Sequence, residues 1–224
     1  MSTLNVKSKV EDPERIEARR AQLTAAAIAA FSEQGYHTTT IRDIAQRAGV
    51  SVGLIYQYVH DKEDLLYLAL LEVLESYRRQ IPQALEGVTE PLERFGAAVR
   101  AYCKVNDASG QATLLAYRET QSLGKERRSA IQAKELQTND LIKACVRDCV
   151  EAGLFADDVD LELFTYQVVM FCHAWVLKAW RFRGLMGVDE YVDRGLRLLL
   201  NAVLTARGER QLRESGGGAS APRR

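Results

Sequence analysis

An all-α protein is predicted by three features of the sequence. Apolar residues recur at spacings of three and four almost throughout, alternating β-branched runs are missing, and only four prolines (Pro13, Pro82, Pro91 and Pro222) interrupt 224 residues. A period near 3.6 lays apolar side chains along one helix face, whereas a half-buried strand needs a period of two. The length allows one large domain or two small ones. The pattern divides into a small N-terminal helix-turn-helix module and a larger C-terminal helical body.

The elements follow in order. Residues 1–13 open with the polar stretch "MSTLNVKSKVEDPER", lack an apolar signal core, and are expected to form a flexible arm. A first helix should run from about Pro13 to Gln34, with proline at an early helical position and Gly35 as its stop. Its apolar stripe is Ile16, Leu23, Ala27, Ala30 and Phe31. Thr40 then precedes "IRDIAQRA", where it can cap the first free amides and Asp43 completes a capping-box pattern. Ile41, Ile44, Ala45 and Ala48 form a narrow apolar face, Gly49 permits a tight turn, and Val50 plugs the space between the helices. Ser51 can cap "VGLIYQYV", a helix of about two turns that survives only by packing on its neighbours. Ile55 and Val59 make that contact, leaving Val52, Gly53, Tyr56 and Gln57 outward. A longer helix begins near Asp61 and runs to Tyr77 or Gln80, where Ile81-Pro82 should bend or end it. Further helices are expected near 91–107, 111–122, 125–152, 157–183 and 188–207, separated by Gly110, Gly124, Gly153 and "RGLMG". The domains read as the arm, a DNA-binding module over 14–66, an effector-binding and dimerisation body over 67–207, and a disordered tail over 208–224 ending "SGGGASAPRR".

Two short capped helices around a glycine turn, the second with an exposed polar-aromatic face, are helix-turn-helix architecture, whose second helix enters the DNA major groove. Gly53 removes a side chain where that helix must come close. Tyr56 and Tyr58 can offer hydroxyls to phosphates and rings to sugars or thymine methyls. Lys62, in the first turn of the next helix, can help hold a phosphate.

The run "AAIAAFSEQGYHTTTIRDIAQRAGVSVGLIYQYVHDKEDLL" resembles the N-terminal DNA-binding domain of the TetR family of bacterial transcriptional regulators. Ala27, Phe31, Gly35, Thr40, Ile44, Ala45, Ala48, Gly49, Val50, Ser51, Gly53, Tyr56, Tyr58, Lys62 and Leu65 carry the likeness, in register, over residues 14 to 66. The resemblance implies a homodimer on a palindromic operator, usually a repressor, released when a small molecule enters the C-terminal body. It also implies contacts from Thr40 and Arg42 at the start of the second helix. On the recognition helix it implies Ser51, Val52, Gly53, Tyr56, Gln57 and Tyr58, with Lys62 as a phosphate anchor.

Charge qualifies this reading. The chain is formally neutral, and residues 1–62 hold eight Lys and Arg against seven Asp and Glu. A surplus of one predicts a shallow dependence of DNA affinity on salt.

The body should supply a partner and a pocket. "YVDRGLRLLLNAVL" places Val192, Leu196, Leu199, Leu200 and Val203 on one stripe, and the preceding helix is apolar on nearly every side. Such a helix needs cover all round, which a second subunit can complete. Phe95, Val99 and Tyr102, then Leu114, Tyr117, Arg118 and Gln121, then Cys145, then Phe164, Val168, Phe171 and Trp175 are the candidate wall of an effector pocket. Arg118 is the group that could meet a carboxylate or phosphate. The C-terminal half resembles TetR regulators of fatty-acid and acyl-coenzyme A metabolism, which implies a fatty acid or acyl-CoA effector. One alternative is a dimer with no effector, whose body only sets spacing. Another is a thiol or metal sensor, since Cys145 and Cys149 are four residues apart and Cys172 adjoins His173.

Catalysis is not expected: the three histidines fall into no Ser-His-acid arrangement, and no phosphate-cradling glycine loop or metal-ligand cluster stands out. Neither metal nor cofactor is predicted. The most apolar stretch, "LFTYQVVMFCHAWVL", is short of the roughly twenty residues a membrane span needs. Four scattered cysteines without a secreted-type framework fit reduced thiols in a cytoplasm.

Overall fold

A computed structural model describes residues 6–216. They form eleven α-helices and one short 3-10 turn, with no strand among the described residues. The chain divides into two compact units, residues 1–76 with 109–136, and residues 77–108 with 137–224. The expected boundary at 66/67 falls inside the first unit, which also holds residues 109–136.

The first unit contains α1 (Pro13–Gln34), α2 (Ile41–Ala48), α3 (Val52–Tyr58) and the first part of α4 (Lys62–Leu85). It also holds α6 (Gly110–Glu119), the 3-10 turn Thr120–Ser122 and the first part of α7 (Lys125–Glu151). α1 starts where expected: Asp12 accepts from the Arg15 amide and Pro13 occupies the first helical position. It stops at Gly35, whose φ of 87° a residue with a Cβ adopts only under strain. Leu23, Ala27, Phe31, Ile44, Ala45 and Ile55 are buried together as the module's core, and α1 packs on α2, α3 and α6. At the start of α4 the buried Asp64 carboxylate accepts the His60 amide at 2.6 Å and pairs with Arg127 of α7, which also reaches Glu63 at 3.2 Å. This bridge binds the 109–136 segment to the module.

The second unit contains the rest of α4 and α7, α5 (Pro91–Ala108), α8 (Leu161–Leu177), α9 (Ala179–Phe182), α10 (Val188–Asn201) and α11 (Ala206–Gly216). α5 packs on both α8 and α10. Phe95, Phe155 and Phe164 pack with ring centroids 5.5 to 6.2 Å apart. Gly195 on α10 lets the Phe171 ring of α8 lie where a Cβ would be, at 2.1 Å, and that ring stacks on Tyr191 at 4.6 Å.

Four expectations are corrected. α4 runs through Pro82 to Leu85, because a proline in the last turn forfeits only the bond to the Arg78 carbonyl. The helix expected over 157–183 starts at Leu161, capped by Asp160, and is interrupted at Lys178. The helix expected over 188–207 ends at Asn201. Residues 206–216 form α11 rather than a disordered tail; residues 217–224 lie outside the described residues. α11 is seated by a backbone patch: the Ala156 amide donates to the Val203 carbonyl at 2.8 Å, and the Thr205 amide to that of Leu154 at 2.9 Å. Gly208 lies against the Leu154 carbonyl, where a Cβ would approach to 2.3 Å.

Candidate nucleic-acid interface

α2 and α3 are short, so their ends matter more than their middles. The Thr40 hydroxyl accepts from the Asp43 amide at 3.2 Å and the Asp43 carboxylate from the Thr40 amide at 2.8 Å, a complete capping box. The Thr40 hydroxyl also donates to the Asp43 carboxylate at 2.7 Å, and this bond, followed by that of the Thr40 amide, holds the Asp43 carboxyl below its ordinary pKa. Gly49 takes the left-handed conformation at φ 66°, and the Val50 amide returns to the Ala45 carbonyl at 3.0 Å. Ser51 caps α3 by accepting from the Leu54 amide at 3.2 Å.

This scaffold leaves Thr40, Arg42, Ser51, Gly53, Tyr56 and Gln57 exposed and Val52 half-buried. Tyr56 is 43% exposed, an unusual state for a tyrosine in a folded core module. A Cβ built on Gly53 meets nothing within 4 Å. Internal packing therefore makes no demand for glycine there.

Two residues expected in the contact set are elsewhere. Tyr58 is fully buried, and its hydroxyl has no partner among the described residues, so it is a core side chain and not a phosphate donor. Its inward direction follows from the helix period: residues 55, 58 and 59 share one face, and 56 lies opposite 58. Lys62 turns its ammonium onto the carbonyls of Tyr36, His37 and Thr39 at 2.7, 3.2 and 2.9 Å, above the Tyr36 ring at 4.5 Å. Burial lowers its pKa. With all three protons engaged it clamps the α1–α2 loop and does not anchor a phosphate.

The candidate effector wall divides between the units. Leu114, Tyr117, Arg118 and Gln121 fall in the first; Phe95, Val99, Tyr102, Cys145, Phe164, Val168, Phe171 and Trp175 fall in the second. Tyr117, Arg118 and Gln121 are exposed, and Gln121 accepts from Arg128 at 2.7 Å, so these three do not line an enclosed wall. Tyr117 lies on the face of α6 opposite the buried Ala112 and Leu115, and Gln121 lies in the 3-10 turn that follows. In the second unit Phe95, Val99, Tyr102, Cys145, Phe164, Val168 and Trp175 are all buried, whereas Phe171 is half-buried against α10. A polar group runs through this core: the Tyr77 hydroxyl donates to Asn106 Oδ1 at 2.6 Å, and the Tyr102 hydroxyl lies 3.1 Å from His173 Nε2. Burial pulls the His173 pKa down to about 4, so the ring is neutral at pH 7. Asn139 is buried, and neither its amide oxygen nor its nitrogen has a partner among the described residues. Sequence reasoning passed over Asn106 and Asn139. Their one visible signal is a polar residue on an apolar helical stripe.

Residues 23–67 match the profile of "Bacterial regulatory proteins, tetR family", and residues 88–203 match "Tetracyclin repressor-like, C-terminal domain". The chain is 50% identical over 208 residues to the HTH-type transcriptional regulator HbdR of Aromatoleum sp. (strain CIB), covering 93% of this chain and 90% of that one. This chain belongs to the TetR family. It is a DNA-binding transcription regulator of that family, with the helix-turn-helix in its first unit. The transcriptional repressor KstR2 of Mycobacterium tuberculosis is 26% identical over 84% of this chain and 94% of its own. The solved structure of ketosteroid transcriptional regulator KstR2 superposes with a TM-score of 0.72 over 90% of this chain and 100% of that chain, at 23% identity. The fatty acid degradation regulator FadR of Bacillus halodurans superposes with a TM-score of 0.70 over 85% and 96%, also at 23% identity, which speaks to the fold alone.

Within this TetR chain the four cysteines are buried and free. Burial raises the Cys145 and Cys149 thiols to about 11 and about 12, and raises Cys172 as well. A thiol so rarely ionised is a poor oxidation target, which weighs against the thiol-sensing alternative. Among the described residues no group of three or more His, Cys, Asp or Glu is placed to hold a metal, and no helix is long and apolar enough to cross a membrane.

Proposed function

We propose that this TetR-family regulator binds an inverted-repeat operator as a homodimer and is released from it by an amphipathic effector held in the second unit. The exposed surface of Thr40, Arg42, Gly53, Tyr56 and Gln57 is the observation that carries the DNA half of this reading. Partner formation is supported by large apolar side chains left in solvent on the second unit: Leu163 and Met170 on α8 are 60% and 47% exposed, and Leu198 on α10 is 74% exposed. Exposed leucines in such density invite burial against a second copy.

The effector half rests on the mixed core of the second unit. An unpartnered buried amide costs roughly 1–3 kcal/mol, a cost that a ligand able to bond Asn139 would remove. Phe95, Phe164 and Val168 suit an acyl or ring-bearing apolar part. KstR2 and FadR carry steroid and fatty-acid roles in their names, and a fatty acid or acyl-CoA is the effector class proposed for this chain. Repression is the proposed outcome of operator binding.

Selection of duplex DNA from a random library by the purified full-length protein tests the first half. An enriched inverted repeat is expected. Titration of that complex with fatty acids and their coenzyme A thioesters tests the second half. Operator affinity that stays constant across both classes would remove this effector and leave the operator reading standing.

A further inference from the structure

Residues 6–10 of the segment expected to be a flexible arm are fastened to α3. Val6 is buried, and its carbonyl accepts from Arg20 Nη2. The Lys9 amide donates to the Gln57 carbonyl at 2.8 Å, and the Ser8 hydroxyl donates to the same carbonyl at 3.1 Å. The Ser8 hydroxyl in turn accepts from the Val10 amide at 3.1 Å. Arg20 also donates from Nε and Nη2 to the Tyr58 carbonyl, at 3.1 and 3.0 Å. Four groups from outside α3 thus converge on its last two carbonyls.

This has an electrostatic consequence. The C-terminal end of a helix carries partial negative charge and unpaired carbonyls, both unfavourable beside phosphates. Here the strap's donors and the Arg20 guanidinium occupy those carbonyls. Lys7 and Lys9 flank Ser8 and are exposed, and no ion pair among the described residues engages either. Among the module's other cations, Arg47 pairs with Glu33, Lys62 clamps three carbonyls and Arg20 holds the strap, whereas Arg42 is exposed. The acids that follow, Glu11, Asp12 and Glu14, belong to the start of α1, where Asp12 is the cap.

We propose that residues Val6–Val10 are a DNA-binding strap, which holds Lys7 and Lys9 beside the C-terminal end of the recognition helix to contact backbone phosphates flanking the groove that helix enters. Arg20 is its positioning residue. The proposal builds on the operator reading and adds a contact surface outside the helix-turn-helix.

The test is the salt dependence of affinity for the duplex recovered by selection, measured for full-length wild type and for K7Q/K9Q. Removing one lysine from a phosphate should flatten the slope of log K against log salt by about 0.9, so the four lysines of a dimer together predict a flattening of about 3 to 4. The melting temperature should be unchanged, because the strap's bonds use only the backbone of Lys9. A control, K104Q/K178Q, removes equal charge from the second unit and should leave the slope as in wild type. R20M, with both lysines present, should also flatten the slope. An unchanged slope in K7Q/K9Q beside a wild type that binds would overturn the strap alone. A wild type that recovers and binds no duplex would overturn the strap and the operator reading together.

Discussion

Tyr56 and Tyr58 stand two residues apart on a seven-residue helix and face opposite ways, 43% exposed against fully buried. Tyr56→Ala should therefore weaken operator binding by about tenfold per protomer, the loss of one net hydrogen bond with its ring packing. Tyr58→Phe should leave it unchanged and cost no stability, since the hydroxyl removed has no partner among the described residues. Operator titration and thermal melting of both variants check this pair, and equal losses would refute the assignment. His173 offers a second test. The unfolded chain takes up a proton near pH 6.5 that the folded chain refuses until about 4. Stability should then fall as pH drops through that window, by up to about 3 kcal/mol, with no further loss from this group below it. Melting curves across the window should show the fall in wild type and a flatter profile in His173→Gln.

The outward positions of α3 were legible in the sequence because glycine, serine and glutamine tolerate solvent. Tyr58 was not, because pairing it with Tyr56 as a motif overrode the spacing of Ile55, Tyr58 and Val59. Lys62 was misplaced for another reason: three carbonyls brought together by the α1–α2 loop have no local sequence signal.

At the level of elements, caps and glycines decide the ends. Thr40→Ala removes the hydroxyl half of the α2 capping box, leaving only the residue-40 amide on Asp43, and should destabilise the module by about 1 kcal/mol, read by denaturant melts. Gly195→Ala puts a methyl into the Phe171 ring, which its stack on Tyr191 holds in place, and should cost about 1–3 kcal/mol of overpacking. A wild-type melting temperature in that variant would show that α8 and α10 part easily. Periodicity located α1, α2, α3, α5 and α7 to within a residue or two, because each pairs a strong stripe with a cap or glycine. It missed ends of α4, α8 and α10 and did not foresee α11 as a separate helix. Pro82 looks like a terminator unless its place in the last turn is known. α11 is polar and draws its seat from a backbone patch at Leu154 that lies far away in sequence.

For the whole molecule, the division into units matters most. Part of the expected body, residues 109–136, belongs with the helix-turn-helix, bound through Arg127 to Asp64 and Glu63. No sequence pattern announces this, since the bridge spans more than sixty residues. Formal charge likewise carries no record of pairing. Near-neutrality over residues 1–62 counts Arg47 and Glu33, which pair with each other, equally with Lys7 and Lys9, which face solvent.

In the proposed dimer two copies of the α2–α3 surface engage adjacent major grooves. Affinity for inverted-repeat duplexes whose half-site spacing is stepped one base pair at a time tests it most directly. The account predicts a sharp optimum near one helical turn or slightly more, with most of the affinity lost when half a turn is added and the second half-site moves to the far side of the duplex. Affinity that is flat across the series, or equal for a single half-site, would contradict it.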